Sequence, residues 1–273
     1  MSFAPALPLT GYAGWALLKR SQARQTAAFA AAPEIRSDEA YFRAKIGGID
    51  SAEALVKDRR LLKVALGAFG LDSDINNRFF IQKVLEDGTL KTGTLAGKLA
   101  NKQYLKLSAA FGFGDYSVPR TKLSDFADGI VAAYKDRQFE IAVGAQDDNL
   151  RLALNVQREL PQIAGKATSS DTSKWFAILG NPPLRQVFET ALGLPSGIGK
   201  LDLDQQLLAF RAKAKAQLGN AEIATFSDPD KVEALVRRFL VRSEAAQLAG
   251  SAGSNAALQM LQQTASFARS RSV

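Results

Sequence analysis

The chain has 273 residues, is 47% hydrophobic with 16 phenylalanines, and carries a formal net charge of +8. It contains no cysteine and no histidine, which excludes disulfides, thiol nucleophiles, imidazole bases and nearly every zinc site. The sequence has no run of the ~18 apolar residues that a membrane-spanning helix needs, so no membrane span is predicted.

The first 36 residues are predicted to form an N-terminal basic arm. Residues 1–33 contain no acidic side chain, and residues 1–36 carry a net charge of +3. Lys19, Arg20 and Arg24 follow the apolar part of this segment. A secretory signal peptide places its positive charges before that part, so no Sec signal is predicted.

Residues 37–248 are predicted to form a helical core domain. Apolar residues recur there at three- and four-residue steps, and no alternating strand pattern of any length occurs. Helices are expected within 119–144 and near 147–163, 171–179, 182–192, 202–218 and 229–248. The predicted fold class is all-α, an irregular bundle of helical hairpins.

Three segments share a pattern in which a capping residue precedes a helix and a glycine ends it. Asp58, Asn101 and Asn181 have side chains suited to N-caps. Eleven or twelve residues later stand glycines that can take the left-handed conformation, each followed by an apolar residue that can fold back on the helix. These pairs are Gly70–Leu71, Gly112–Phe113 and Gly193–Leu194. The pattern fits either a duplicated helix–Gly–helix unit or the coincidental reuse of common helix ends.

Two stretches superficially match ligand-binding motifs. DSDINNRFFIQK at 72–83 lacks the Gly and Glu that a calcium loop has at positions 6 and 12. GLPSGIGK at 193–200 has the wrong glycine spacing for a phosphate loop, and Leu201 follows its lysine. We therefore predict a helix cap and a turn, and we assign no catalytic, cofactor-binding or metal-binding residue and no cofactor.

The C-terminal part is predicted to be a second basic arm. Residues 237–273 carry a net charge of +4, and residues 245–273 contain no acid. Residues 249–256 are rich in Gly, Ser and Ala, which predicts a flexible link. The rest has Leu258, Leu261, Ala265 and Phe267–Ala268 roughly on one side, which predicts a short amphipathic helix. Residues 249–273 thus form the third predicted region.

Two blocks of the sequence resemble a known family. AYFRAKIGGIDSAEALVKDRRLLKVALGAFGLDSDINNRFFIQKVLEDG at 40–88 and LANKQYLKLSAAFGFGD at 99–115, with VRRFLVRSE near the C-terminus, resemble the bacterial family designated domain of unknown function 1217. That family is mainly alphaproteobacterial, and its genes often lie among flagellar genes. The resemblance implies a flagellum-associated role and brings no catalytic residues with it.

The expected function is that of a non-enzymatic, flagellum-associated structural or assembly protein that acts through protein–protein contacts. Its expected partners are other proteins, including flagellar components. A nucleic-acid partner is not expected, since the middle of the chain is close to neutral.

The alternative function is that of a cytoplasmic helical interaction module, a chaperone or regulator. An enzyme is the third hypothesis, and it would need a pocket that holds a carboxylate or lysine of perturbed pKa. Cytoplasmic location, export through the flagellar apparatus and oligomerisation all stay open.

Overall fold

The computed structural model describes the backbone of residues 3–270 and the side chains of residues 3–249. Within that range every regular element is a helix, which confirms the all-α prediction. The α-helices are α1 (Gly11–Ala30), α2 (Pro33–Lys45), α3 (Ala52–Lys57), α4 (Arg59–Phe69), α5 (Arg78–Asp87), α6 (Leu95–Lys98), α7 (Gln103–Phe111), α8 (Phe126–Gly144), α9 (Asp148–Ala164), α10 (Asp171–Leu179), α11 (Pro182–Leu192), α12 (Leu203–Leu218) and α13 (Pro229–Ser270).

Two helices are buried along most of their length, and the others pack around them. α4 contacts α2, α3, α7 and α8, whereas α9 contacts α1, α8, α10, α11 and α13. α8 packs against both α4 and α9 and so joins the two groups of helices. The buried apolar side chains form one continuous core from Trp15 to Leu240.

The predicted helix ends at the three glycines are confirmed. Gly70, Gly112 and Gly193 all have positive φ, between 65° and 69°. Leu71 N–H donates to the Leu66 carbonyl at 3.0 Å and Leu194 N–H to that of Glu189 at 2.9 Å, the six-to-one bond of a Schellman motif. Gly112 instead ends α7 with the simpler bond from its own N–H to Ser108 O, at 2.8 Å.

The capping residues differ slightly from their predicted places. Asp58 caps α4 by accepting from the N–H groups of Arg60 and Leu61, and Asn181 caps α11. Asn101 accepts from Gln103 N–H at 3.0 Å, one residue before the N-cap position of α7. Whether the three units arose by duplication stays a prediction.

The division into a core and two arms needs correction at both ends. α1 lies inside the predicted arm of residues 1–36, yet Trp15 and Leu18 are 1% exposed and belong to the core. The charged side chains that suggested an arm lie on the outer side of this helix. At the other end, the predicted flexible link over 249–256 lies within α13, because its alanines favour a helix already begun at Pro229. The side chains of the predicted amphipathic helix lie outside the described residues.

A buried ion cluster joins α7, α8 and α9. The Glu159 carboxylate, 3% exposed, accepts hydrogen bonds from Lys106 Nζ at 2.6 Å and Arg137 Nη2 at 2.8 Å. Arg158 also donates to it and binds Glu140 through Nε at 2.7 Å and Nη2 at 3.0 Å. Burial opposes ionisation of Glu159, but the three cations outweigh it and lower its pKa to about 2.

Replacing Glu159 with Gln should lower the free energy of unfolding by roughly 3–5 kcal/mol, because buried cations lose their counter-charge. Glu189→Gln is the control. It removes a half-exposed i,i+4 pair with Arg185 and should lower the free energy of unfolding by less than ~0.5 kcal/mol.

The stabilisation from Glu159 is complete above its ordinary pKa of 4.5 and is lost as pH falls toward about 2. Urea titrations should show that the wild-type chain loses more stability across that window than Glu159→Gln does.

Two glycine-to-alanine changes should act in opposite directions. At Gly70 an added Cβ would be strained by φ +69° and would lie 2.7 Å from Arg137 Nη1, so Gly70→Ala should cost roughly 1–2 kcal/mol of unfolding free energy. Gly129 lies within α8, and an added Cβ there meets nothing within 4 Å. Gly129→Ala should therefore stabilise the protein by up to ~1 kcal/mol. The free energy of unfolding of both variants can be measured by thermal and chemical unfolding. Equal changes for Gly70→Ala and Gly129→Ala would contradict the role of Gly70.

Candidate interaction surface

The two basic ends of the sequence meet on one side of the molecule. α1 packs directly against α13, and Glu233 of α13 is the polar centre of the contact. Its carboxylate accepts from Trp15 Nε1 at 3.0 Å, Lys19 Nζ at 3.2 Å and Tyr12 Oη at 3.3 Å. Because the Trp15 ring is buried, this bond satisfies an indole N–H that water does not reach. We call this region the terminal-helix face.

Among the described residues of α13, one arginine faces outward and two arginines anchor the helix. The Arg237 guanidinium lies 5.2 Å from the centre of the Tyr12 ring, a cation–π contact with α1. Arg238 Nε donates to the Ala191 carbonyl at 2.8 Å, and the Arg242 guanidinium lies against Gly193. Both anchors therefore meet the C-terminal end of α11, where the helix dipole favours positive charge. They hold α13 on the core and are not free for a partner.

The outer side of the terminal-helix face is basic and partly apolar. Arg20 and Arg24 of α1 are exposed and have no ion-pair partner among the described residues. On α13, Ala234, Arg237 and Val241 are exposed at three- and four-residue spacing, and a cleft of about 730 Å³ runs beside them. The geometry suits a partner that offers negative charge and an apolar side chain.

α13 leaves the globular part of the molecule near its middle. Leu240 is fully buried and Ser243 is 8% exposed, but every residue of 245–249 is exposed. The helix nevertheless continues to Ser270, which is roughly 40 Å of further backbone at ~1.5 Å per residue. At residues 245–249 the helix therefore has no buried side that tertiary packing could stabilise.

A second cleft has the polar lining that an enzyme would need. Two adjoining cavities of about 540 and 550 Å³ share Glu34, Asp38 and Lys63. Asp38 Oδ2 accepts from Lys63 Nζ at 2.7 Å and from Tyr134 Oη at 2.8 Å. Burial and the Asp38 carboxylate together raise the pKa of Tyr134 above its usual range. These bonds tie α2 to α4 and α8, so the cluster serves the packing of three helices.

The rejected sequence motifs have structural roles, but the predicted helix cap is wrong, because Asp72 and Asp74 lie in a 3-10 turn and the N-cap residue of α5 is Asn77. Asp72 accepts from Gln138 Nε2 at 2.7 Å, and Asp74 accepts from Tyr104 Oη at 2.6 Å. No group of three potential metal ligands occurs among the described residues. In GLPSGIGK, Gly193 ends α11 and Ser196–Lys200 forms a 3-10 turn, which confirms the predicted turn.

Sequence reasoning missed the residues that create the terminal-helix face. Tyr12, Trp15 and Glu233 carry its central contact, and Glu233 is far from the other two in the chain. The available signal was the spacing of Tyr12 and Trp15 on one helical side together with the clustering of basic charge at both ends.

No described helix is both long and apolar enough to cross a lipid bilayer.

Comparisons with known proteins place the chain among bacterial proteins. The family model "Protein of unknown function (DUF1217)" matches residues 68–232. A crystal structure of a structural-genomics protein from Agrobacterium tumefaciens superposes with a TM-score of 0.70 at 25% sequence identity. The alignment covers 88% of this chain and 98% of that one. The comparison with curated proteins gives no match.

The contact at Glu233 can be tested by Glu233→Ala. Loss of the carboxylate leaves the buried Trp15 N–H without its acceptor, so the free energy of unfolding should fall by roughly 1–3 kcal/mol. Limited proteolysis should then cut within residues 3–30 faster than in the wild type. Glu222→Ala removes an exposed carboxylate that has no side-chain partner among the described residues and should change stability by less than ~0.5 kcal/mol. Unchanged proteolysis in Glu233→Ala would contradict the anchoring role.

Proposed function

Because this chain belongs to the DUF1217 family, we propose that it is a non-enzymatic, flagellum-associated structural or assembly protein acting through protein–protein contacts. The single observation that carries the binding role is the course of α13, which leaves the core near residue 245 and continues as helix. The flagellar association rests on the family resemblance and not on the geometry.

The sequence of the emerging half of α13 supports a helix-binding role. Leu258, Leu261 and Ala265 recur at helical spacing, and no acid occurs from residue 245 onward. An apolar stripe on an otherwise polar helix is the pattern that lies in a groove or against another helix. The sequence that follows the stripe is basic, with Arg269 and Arg271, which favours an acidic partner surface.

The terminal-helix face supports the same proposal from the globular side. Arg20, Arg24 and Arg237 are exposed there, and the start of α1 at Gly11 lies against Glu244, just before the exposed part of α13. A partner that binds the emerging helix could therefore also contact the basic side of α1. The anchors Arg238 and Arg242 fix α13 in place and so keep these two surfaces adjacent.

The alternative of a cytoplasmic chaperone or regulator uses the same surface. It differs from the first proposal in location, because it requires no stable place in the flagellum. The experiment below therefore measures location and folding separately.

The decisive experiment compares the wild-type chain with Leu258→Glu/Leu261→Glu in cells. A tagged protein is followed in cytosol, flagellar basal-body preparation and culture medium, with and without a working flagellar export apparatus. We expect the wild type in the basal-body or exported fraction and an at least tenfold loss in the variant. That loss is the size expected when two buried apolar contacts are removed.

The matched control is Gln259→Glu/Gln263→Glu, which adds the same charge on the side opposite to the stripe. It should keep the wild-type location, and all three chains should melt at the same temperature. Wild-type protein retained in the cytosol of both strains would reject the flagellar role and favour the chaperone or regulator. Equal loss in both variants would reject the apolar stripe as the contact.

A further inference from the structure

The second cleft, which lies along α2, has an apolar half and a basic half. Its two adjoining cavities, of about 540 and 550 Å³, share the side chains of Glu34, Asp38 and Lys63. Each volume falls within the range of sites that enclose small organic molecules. None of the lining residues belongs to α13, so this cleft is separate from the surface to which we assign the protein contacts.

The walls of the first cavity are mostly apolar. Phe3 and Phe29 meet edge to face there, with their ring centres 5.8 Å apart. Ile35 of α2 and Ile141 of α8 line the same cavity, and 42% of Ile141 is exposed. A ligand that covers these walls removes apolar surface from water, which favours a ligand with an apolar part.

Two polar side chains of the apolar cavity are already bonded within the protein. Tyr134 Oη donates to Asp38 at 2.8 Å, and Gln138 Nε2 donates to Asp72 at 2.7 Å. An extended peptide would place backbone N–H and C=O groups against apolar walls that cannot pair with them, which is costly. An alkyl chain has no such groups, so these walls favour an alkyl chain over an extended peptide.

Two arginines at the start of α4 line the second cavity. Arg59 Nη1 donates to the side-chain oxygen of Asn76 at 3.1 Å, and Arg59 makes no ion pair among the described residues. Arg60 donates to Ser37 Oγ at 3.0 Å, and its guanidinium lies 4.1 Å from the centre of the Tyr41 ring. These contacts with uncharged groups orient both arginines and leave them able to bind an anion.

Two of the three carboxylates that line the second cavity are balanced within the protein. Asp38 is 7% exposed and accepts from Lys63 Nζ at 2.7 Å, whereas Arg60 lies farther away, at 3.9 Å. Asp72 interacts with Arg137, which belongs to the buried ion cluster of three cations and two carboxylates. The charge of Asp72 is therefore matched by the extra cation of that cluster.

The third carboxylate, Glu34, is exposed to water and makes no ion pair among the described residues. Its charge is therefore partly screened by the solvent. Glu34 stands against both Arg59 and Arg60, so the second cavity keeps an excess of positive charge. This excess favours a ligand with a negatively charged head group.

We propose that this groove binds a free fatty acid, a single alkyl chain that ends in a carboxylate. The carboxylate lies against Arg59 and Arg60, whose guanidinium groups match its two oxygens. The alkyl chain runs past the methylene groups of Lys63, which lines both cavities. It then covers Phe29 and Ile141 in the apolar half.

Isothermal titration calorimetry of the full-length protein with sodium dodecanoate, kept below its micelle concentration, tests the proposal. We expect saturable binding with a Kd on the order of 0.1 mM or tighter, as burial of part of such a chain supports. Octanoate, which has a shorter chain, should bind about tenfold more weakly. Dodecyltrimethylammonium, which has the same chain length and the opposite charge, should also bind at least about tenfold more weakly.

Three variants separate the contributions of the two halves. Arg59→Gln should weaken binding of dodecanoate about fivefold, because it removes a cation at the carboxylate. Ile141→Gln should weaken it by a similar factor, because the chain loses apolar contact. Glu34→Gln should instead tighten binding about threefold, since it removes the unpaired negative charge from the groove.

Matched controls make the same kinds of change on α12, away from the groove. Leu208 is 68% exposed and Lys213 is also exposed, so Leu208→Gln and Lys213→Gln should leave dodecanoate binding unchanged. Equal melting temperatures of all variants show that the fold is intact.

Photo-crosslinking locates the alkyl chain. A dodecanoate with a diazirine at the end of its chain should label peptides that contain Phe29 or Ile141, as read by mass spectrometry. Labelling confined to other parts of the chain would contradict the proposed position of the ligand.

Four results would overturn the proposal. They are the absence of saturable binding, equal affinity for dodecanoate and dodecyltrimethylammonium, wild-type affinity in both Arg59→Gln and Ile141→Gln, and tighter binding of an acetylated Asp-Leu-Leu peptide than of dodecanoate. Each of these results would leave the proposed function unaffected, because the location experiment depends on α13 and not on this groove.

Discussion

The packing of the molecule depends on the charge of Glu159. This buried carboxylate is bound by cations from three helices, α7, α8 and α9. One of these cations, Arg137, also lies under Gly70 at the end of α4. A single negative charge thus sets the relative positions of four helices. Hydrophobic burial alone would allow these helices to slide, because apolar contacts have little directionality.

The same ion cluster links the core to its surface clefts. Lys106, which binds Glu159, lines a cavity beside α7 together with Gln103. Glu140, held by Arg158, lies next to a smaller cavity on the other side of α9. The polar walls of both cavities are therefore fixed by bonds that also hold the helices.

Much of the fold could be predicted from local sequence signals. The bounds of α9, α10 and α11 follow from apolar spacing, from Asn181 as a cap and from Gly193, because helix starts and stops are set by nearby residues. The placement of α1 could not be predicted in this way. Its alanines and basic residues resemble a solvated arm, and only Trp15, Leu18 and Phe29 mark its buried side.

The candidate sites were less accessible to sequence reasoning than the helices. Glu233 and Trp15 are at opposite ends of the chain, and so no local pattern pairs them. Asp38, Lys63 and Tyr134 are ordinary polar residues in sequence, and only the packing of α2, α4 and α8 brings them together. Local sequence patterns predict helices, whereas clusters of polar side chains depend on how helices that are distant in sequence pack together.

Because α13 is uninterrupted, a small tilt of its anchored half displaces its far end by a larger distance. One half of this helix is fixed in the core by Val236, Phe239 and Leu240, and the other half continues to Ser270 without a break. A tilt of about 5° at the anchored half would move the far tip by roughly 3 Å over ~40 Å of helix. Small adjustments where Arg238 and Arg242 meet the end of α11 are therefore amplified at the distal end.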